Sequence, residues 1–153
     1  MKPAAIRSAE PRDAATLAAL SGQLGYPSSP VDLLERLLGF LQRTDQLVLV
    51  AEREGAVVGW IHASEAHSLE APPAVVIAGL VVAQGARGSG LGQRLVAAVA
   101  RWTAEKGFQE LRVRTNVVRT EAHGFYRHLG FRPLKTQTVF AMALRAGEFD
   151  PKS

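Results

Sequence analysis

The stretch from Ala74 to Thr115 constrains the fold more than any other part of the chain. "AVVIAGLVV" (residues 74–82) is an almost unbroken apolar run, the pattern of a strand covered on both faces. Gly88, Gly90 and Gly92 then fall within five positions, and Leu91, Leu95, Val99 and Trp102 follow at near-helical spacing up to Lys106-Gly107, which reads as a helix end. "ELRVRTN" next sets Leu111, Val113 and Thr115 against Arg112 and Arg114, as a half-buried strand does. Strand, helix and strand in that order predict two parallel strands joined by a right-handed crossover. Gly79 interrupts the first strand and predicts a bulge.

The flanking segments supply the other elements. "AAIRSA" predicts a short edge strand carrying Ile6, and a helix opens at Pro11-Arg12-Asp13, carries Leu17, Leu20 and Leu24, and ends at Gly25. Ser29 stands as an N-cap and Pro30 as a first helical residue before a stripe of Leu34, Leu37, Leu38 and Leu41. "QLVLVAER" and "AVVGWIHA" predict a hairpin turning at Glu54-Gly55, and Ser64 to Pro73 reads as a loop. "RTEAHGFYRHLGF" predicts a late helix with Ala122, Phe125, Tyr126 and Leu129 on one side and Gly130 as its stop. "FRPLKTQTVFAMAL" predicts one or two closing strands, before a polar tail over residues 147–153. The expected architecture is one α/β domain over residues 1–153, a single sheet with helices on both faces.

Composition narrows the partners. With no cysteine there is neither a disulfide framework nor a thiolate metal site, which suits a reducing compartment. "MKPAAIRSAEPRDAA" has no apolar targeting core, and no run reaches the roughly 18 apolar residues of a membrane span, so a cytoplasmic protein without a membrane partner is expected. A net charge of +4 favours anionic partners. The arginines are scattered rather than massed, so a phosphate-bearing small molecule accounts for the charge as well as nucleic acid does.

The glycine-rich turn specifies which kind of phosphate site is meant. Glycines just before a helix leave backbone N–H groups without a Cβ to block close approach, and the helix N-terminus adds partial positive charge. A nucleotide P-loop needs Gly-Lys-Ser/Thr, but Gly92 is followed by Gln93 and Arg94. A dinucleotide fingerprint needs G-x-G-x-x-G in a first crossover, and position 93 is glutamine. Glycines that only let a helix pack on a strand are the plain alternative.

Arg87-Gly88-Ser89-Gly90-Leu91-Gly92, preceded by "GLVV", fits R-x-x-G-x-G and resembles the acetyl-CoA-binding motif of the GNAT acetyltransferase superfamily. "AHGFYRHLGF" (residues 122–131) is similar to that family's late helix, and the order of elements agrees along nearly the whole chain. The resemblance implies a mixed, mostly antiparallel sheet and N-acetyl transfer from acetyl-CoA to an amine by direct attack, without metal. It implies that backbone amides of Arg87, Gly88, Ser89, Gly90, Leu91 and Gly92 hold the pyrophosphate, and that Leu80, Val81 and Val82 flank the pantetheine arm like an added strand. Asn116 would line the other side of the arm. Arg119 stands where the family often has an asparagine, seven residues before Tyr126, and would reach a phosphate or an acidic acceptor instead.

The catalytic residues are less sharply drawn. Tyr126 is the implied acid for the departing thiolate, since a phenol of pKa about 10 protonates a thiolate whose thiol has a pKa of about 8.5; plain core packing is the alternative. The resemblance leads one to look for a glutamate on the central strand, but Val76, Ile77 and Ala78 stand there. His62, Glu65 and His123 remain as candidate bases, beside a water chain with no dedicated base. Tyr26 and His67 are candidates for contact with the acceptor. "TNVVRTEAHGFY" resembles enzymes of small amines, including aminoalkylphosphonates and aminoglycosides. A silent acyl-CoA-binding module, or an enzyme of protein or tRNA-linked amines, are the competing readings, and a homodimer is compatible with all of them.

Overall fold

A computed structural model describes residues 3–23, 25–115 and 120–145, which fall into two compact units divided after Thr115. The first unit is a five-stranded sheet in the order β1-β2-β3-β4-β5, formed by Ala5–Ser8, Gln46–Arg53, Ala56–Ala66, Ala74–Val82 and Leu111–Val113. Its first four strands run antiparallel and β4 pairs parallel with β5, as the strand–helix–strand reading requires. The mixed, mostly antiparallel sheet is therefore as expected. The helices of this unit are α1 (Ala14–Gly22), α2 (Pro30–Leu41) and α3 (Leu91–Glu105).

Local chemistry sets the boundaries. Ser29 accepts a hydrogen bond from the Asp32 amide at 3.1 Å and Pro30 follows it, so α2 starts where cap and proline dictate. Glu54 and Gly55 both take positive φ, the two-residue turn whose twist matches a hairpin. Asp13 receives the Arg7 guanidinium through two bonds of 2.8 and 2.9 Å, which ties the start of α1 to the edge strand. The Arg7 pairing holds the Asp13 carboxyl below its usual range.

Strand alternation divides the core into two layers. Val48, Val50 and Trp60 meet Leu17 of α1 and Leu33, Leu37 and Phe40 of α2. Ile61 and Ala63 point the other way and are fully buried, on the face where Leu95 of α3 reaches Gly59. Helices thus cover both faces. Burying each Leu or Ile in these layers contributes roughly 1.5–3 kcal/mol, which is what holds the sheet between them.

Three expectations need correction. The hairpin strand runs on to Ala66, so the predicted loop begins at His67 rather than Ser64. β5 is three residues long and stops at Val113, short of Thr115. No strand follows α4 (Thr120–His128) among the described residues, and 131–145 joins no ladder. Alternation gives that segment strand propensity, but a strand exists only through a partner, and among the described residues none pairs with it. Leu24 lies outside the described residues.

Candidate active site

The site begins where β4 outruns its neighbour. Only Val75, Val76 and Ile77 pair with β5, followed by one bond from the Arg114 amide to the Ile77 carbonyl, whereas β4 continues to Val82. At that point the register against β3 slips: His62 faces Gly79 and Ala63 faces Ile77, so Ala78 is the extra residue of a bulge. Glycine at 79 is needed for packing, because a Cβ there would sit 2.8 Å from the Trp60 ring.

Beyond the bulge, β4 has β3 on one side and, among the described residues, no strand on the other. The Ala83 amide donates to Val58 at 2.7 Å, so Val81 also turns its backbone groups to β3. Alternation then directs the N–H and C=O of Leu80 and Val82 to the open side, and the Val82 carbonyl accepts there from Arg87 Nε. This edge offers an extended chain the hydrogen bonds that a strand would take.

The open edge leads into the glycine turn. Gly88 and Gly90 have φ of +79° and +81°, and a Cβ at either would meet no atom within 4 Å. Gly90 is the N-cap of α3 with no side-chain cap, and no acidic residue stands in the first turn. The amides of that turn and the positive end of the helix are thus left for an external anion. The buried side chains of Ala86, Leu91 and Leu95 anchor the turn to the core, and the Ser89 hydroxyl donates to the Ala86 carbonyl. An open rim of backbone donors without a competing carboxylate fits a pyrophosphate.

The open part of the β4 edge thus runs directly into a glycine turn whose helix has no side-chain cap. The model of the acetyltransferase (GNAT) family matches residues 14–131. The chain belongs to that family. An aminoglycoside N(6')-acetyltransferase type 1 of Stenotrophomonas maltophilia is 33% identical over 144 residues, 91% of this chain and 93% of that protein. Among solved structures, AAC(6')-Iy in complex with a bisubstrate analogue, CoA-S-monomethyl-acetylneamine, superposes with a TM-score of 0.83 at 23% identity, covering 94% of this chain and all of that one. A transcriptional regulator from Bacillus halodurans C-125 has a TM-score of 0.82 at 21% identity, covering 91% of this chain and 99% of that one, and shares the fold. The protein is an N-acetyltransferase, and acetyl-CoA is its co-substrate.

The acetyltransferase distributes its candidate bases unevenly. His62 stands opposite Gly79, one strand from the open edge, or about 5 Å across the sheet. Burial pushes its pKa below the ordinary value, which keeps the imidazole neutral and able to take a proton. Its ring stacks on Phe40 and its Nε2 bonds Gln46 Oε1 at 2.7 Å. Glu65 lies elsewhere, opposite Val75, with its carboxylate bonded to the Lys106 ammonium at the far end of α3. That ion pair, with His67 as a second partner, lowers the Glu65 pKa and makes it a weaker base. His67 is exposed, 3.3 Å from Glu65 and edge-on to Phe108. Tyr26 is exposed just after the Gly25 turn.

The second unit holds the remaining candidates. Tyr126 is buried in α4 between Phe125 and Phe131, with ring centroids 5.1 and 5.6 Å away. His123 is half-buried one turn earlier on the same helix. Gly130 closes the helix with φ of +102°, and the Phe131 amide returns to the Tyr126 carbonyl at 3.0 Å. Asn116 and Arg119 lie outside the described residues.

Sequence reasoning missed Gln46 and Phe40. Counting pairs back from the Glu54-Gly55 turn would have set Leu47 opposite His62; the register shift between Ala51 and Glu52 puts Val48 there instead and brings Gln46 onto the His62 face. Among the described residues no group of three or more His, Asp or Glu could hold a metal, and no helix is long and apolar enough to cross a membrane.

Proposed function

We propose that the chain acetylates a primary amine of a small molecule, with His62 as general base and Tyr126 as general acid. The half-paired edge of Leu80 and Val82, running into the glycine turn with a neutral imidazole one strand away, carries this reading. Acetyl-CoA supplies the activated acetyl group. His62 takes a proton from the amine as its nitrogen bonds the carbonyl carbon. A backbone N–H of the β4 edge near Val82 donates to the oxygen that gains negative charge. Tyr126 protonates the sulfur as the C–S bond breaks, so an amide and free CoA leave.

The relative from Stenotrophomonas maltophilia supports a small acceptor, and its name points to aminoglycosides as the first to try. Because the family model runs from 14 to 131 across both units, residues 1–153 are read as one acetyltransferase domain. The test is thiol release from acetyl-CoA against a panel of aminoglycosides, monoamines and peptide lysines. The protein has no cysteine and adds no thiol background. Release with an aminoglycoside or another small amine supports the proposal. Release with peptide lysine alone overturns the acceptor class, and silence across the panel while acetyl-CoA still raises Tm overturns the activity.

A further inference from the structure

The His62 ring is held from two sides. Gln46, the first residue of β2, presents Oε1 to Nε2 at 2.7 Å. Phe40, near the end of α2, stacks on the imidazole with centroids 4.5 Å apart and 21° between the planes. An amide oxygen only accepts, so this bond places a proton on Nε2 and leaves the lone pair on Nδ1. The stack fixes the ring plane, and with it the direction of that lone pair.

We propose that Gln46 is a positioning residue that holds His62 in the Nε2–H tautomer, making Nδ1 the nitrogen that receives the proton of the acceptor amine. The inference rests on His62 as general base and adds which nitrogen acts and what selects it. The groups around the ring leave this selection to Gln46. Its cross-strand neighbours are Val48 and Gly79, neither of which titrates. α1 carries no titratable side chain, and Asp32, Glu35 and Arg36 of α2 are exposed. Arg43 and Asp45, on the connection into β2, pair with each other at the surface.

The experiment uses the full chain labelled with ¹⁵N-histidine and a long-range ¹H–¹⁵N correlation above pH 7, which distinguishes the two neutral tautomers. The chain has four histidines, and the spectrum of His62→Gln identifies the His62 signals. In the wild type we expect the Nε2–H pattern. Gln46→Met removes the acceptor at similar volume and should mix the tautomers, lowering kcat about tenfold with KM for acetyl-CoA unchanged. Gln46→Glu restores an acceptor: the Nε2–H pattern and turnover return, while the acidic limb of the pH–rate profile moves to higher pH because a carboxylate favours the imidazolium. If Gln46 only packed, Gln46→Met would leave the tautomer unchanged, whereas the limb shift in Gln46→Glu reports only that the new carboxylate lies beside the ring.

An Nδ1–H pattern in the wild type overturns the proposal, and it needs no variant to fold. Loss of turnover in His62→Gln, with wild-type tautomer and turnover in Gln46→Met, overturns the role of Gln46 alone. Full turnover in His62→Gln overturns the base itself.

Discussion

The two ends of α3 are built from the same materials to opposite effect. At its C-terminal end the charged groups pair with one another: Lys106 reaches the Thr44 carbonyl and the Glu65 carboxylate and lies over the Trp102 ring, and His67 closes on Glu65. At its N-terminal end Gly90 caps the helix without a side chain, and among the described residues no strand lies alongside Leu80 and Val82 on the β4 edge leading to it. Titratable residues crowd the first end, yet the proposed site is at the second. Val75 and Val82, which mark the two ends along β4, are about 20 Å apart. A binding site in this fold is where backbone hydrogen-bonding capacity is left unsatisfied, and density of charge does not mark it.

That contrast is broken most sharply at His62. His62→Gln should lower kcat by about 100-fold or more, the scale of a lost general base, with KM for acetyl-CoA nearly unchanged. Steady-state kinetics across pH check it, and the acidic limb below the ordinary value of 6.5 should vanish with the imidazole. Next comes the cradle. Gly90→Val places a β-branched side chain at φ of +81° and fills the space above the turn. Acetyl-CoA should bind about 100-fold more weakly, measured by calorimetry, and its stabilisation of Tm should fall in step. Unchanged affinity would show that the open amides are not the phosphate site.

How much of this was legible in the sequence follows from the range of the forces involved. The N-cap at Ser29, the turn at Glu54-Gly55 and the glycines before α3 are local: each is decided by a residue's own φ or its own side-chain oxygen, and each stands where the sequence puts it. The bulge at Ala78 was legible through Gly79, although its packing reason, the Trp60 ring, comes from the neighbouring strand. Long-range pairing was not legible. "FRPLKTQTVFAMAL" has the alternation of a strand but finds no ladder, while the Gln46–His62 bond joins residues from two strands. Glu65 shows the same limit from the other side. A carboxylate three residues from a histidine suggests shared chemistry, but in a strand odd spacing sends the two to opposite faces, and Glu65 goes to Lys106.

The saturated end supplies the smaller effects. Glu65→Gln should leave kcat within about twofold and cost about 1 kcal/mol or less, since the pair with Lys106 is only partly shielded from water. The two ends should also respond to acid in separate windows. Burial depresses the His62 pKa, so the folded state resists protonation that the unfolded chain accepts, and stability is lost as pH falls below 6.5 toward the folded value. Lys106 depresses the Glu65 pKa, so its contribution is full above the ordinary 4.5 and is lost as pH falls through the lower folded value. Thermal unfolding from pH 8 to 3 separates them. The wild type should lose ground to His62→Gln as pH falls below 6.5, while its advantage over Glu65→Gln persists down to 4.5 and disappears only below it. Coincident windows would mean that the two ends are coupled through the sheet, and the division between a working end and a structural end would fail.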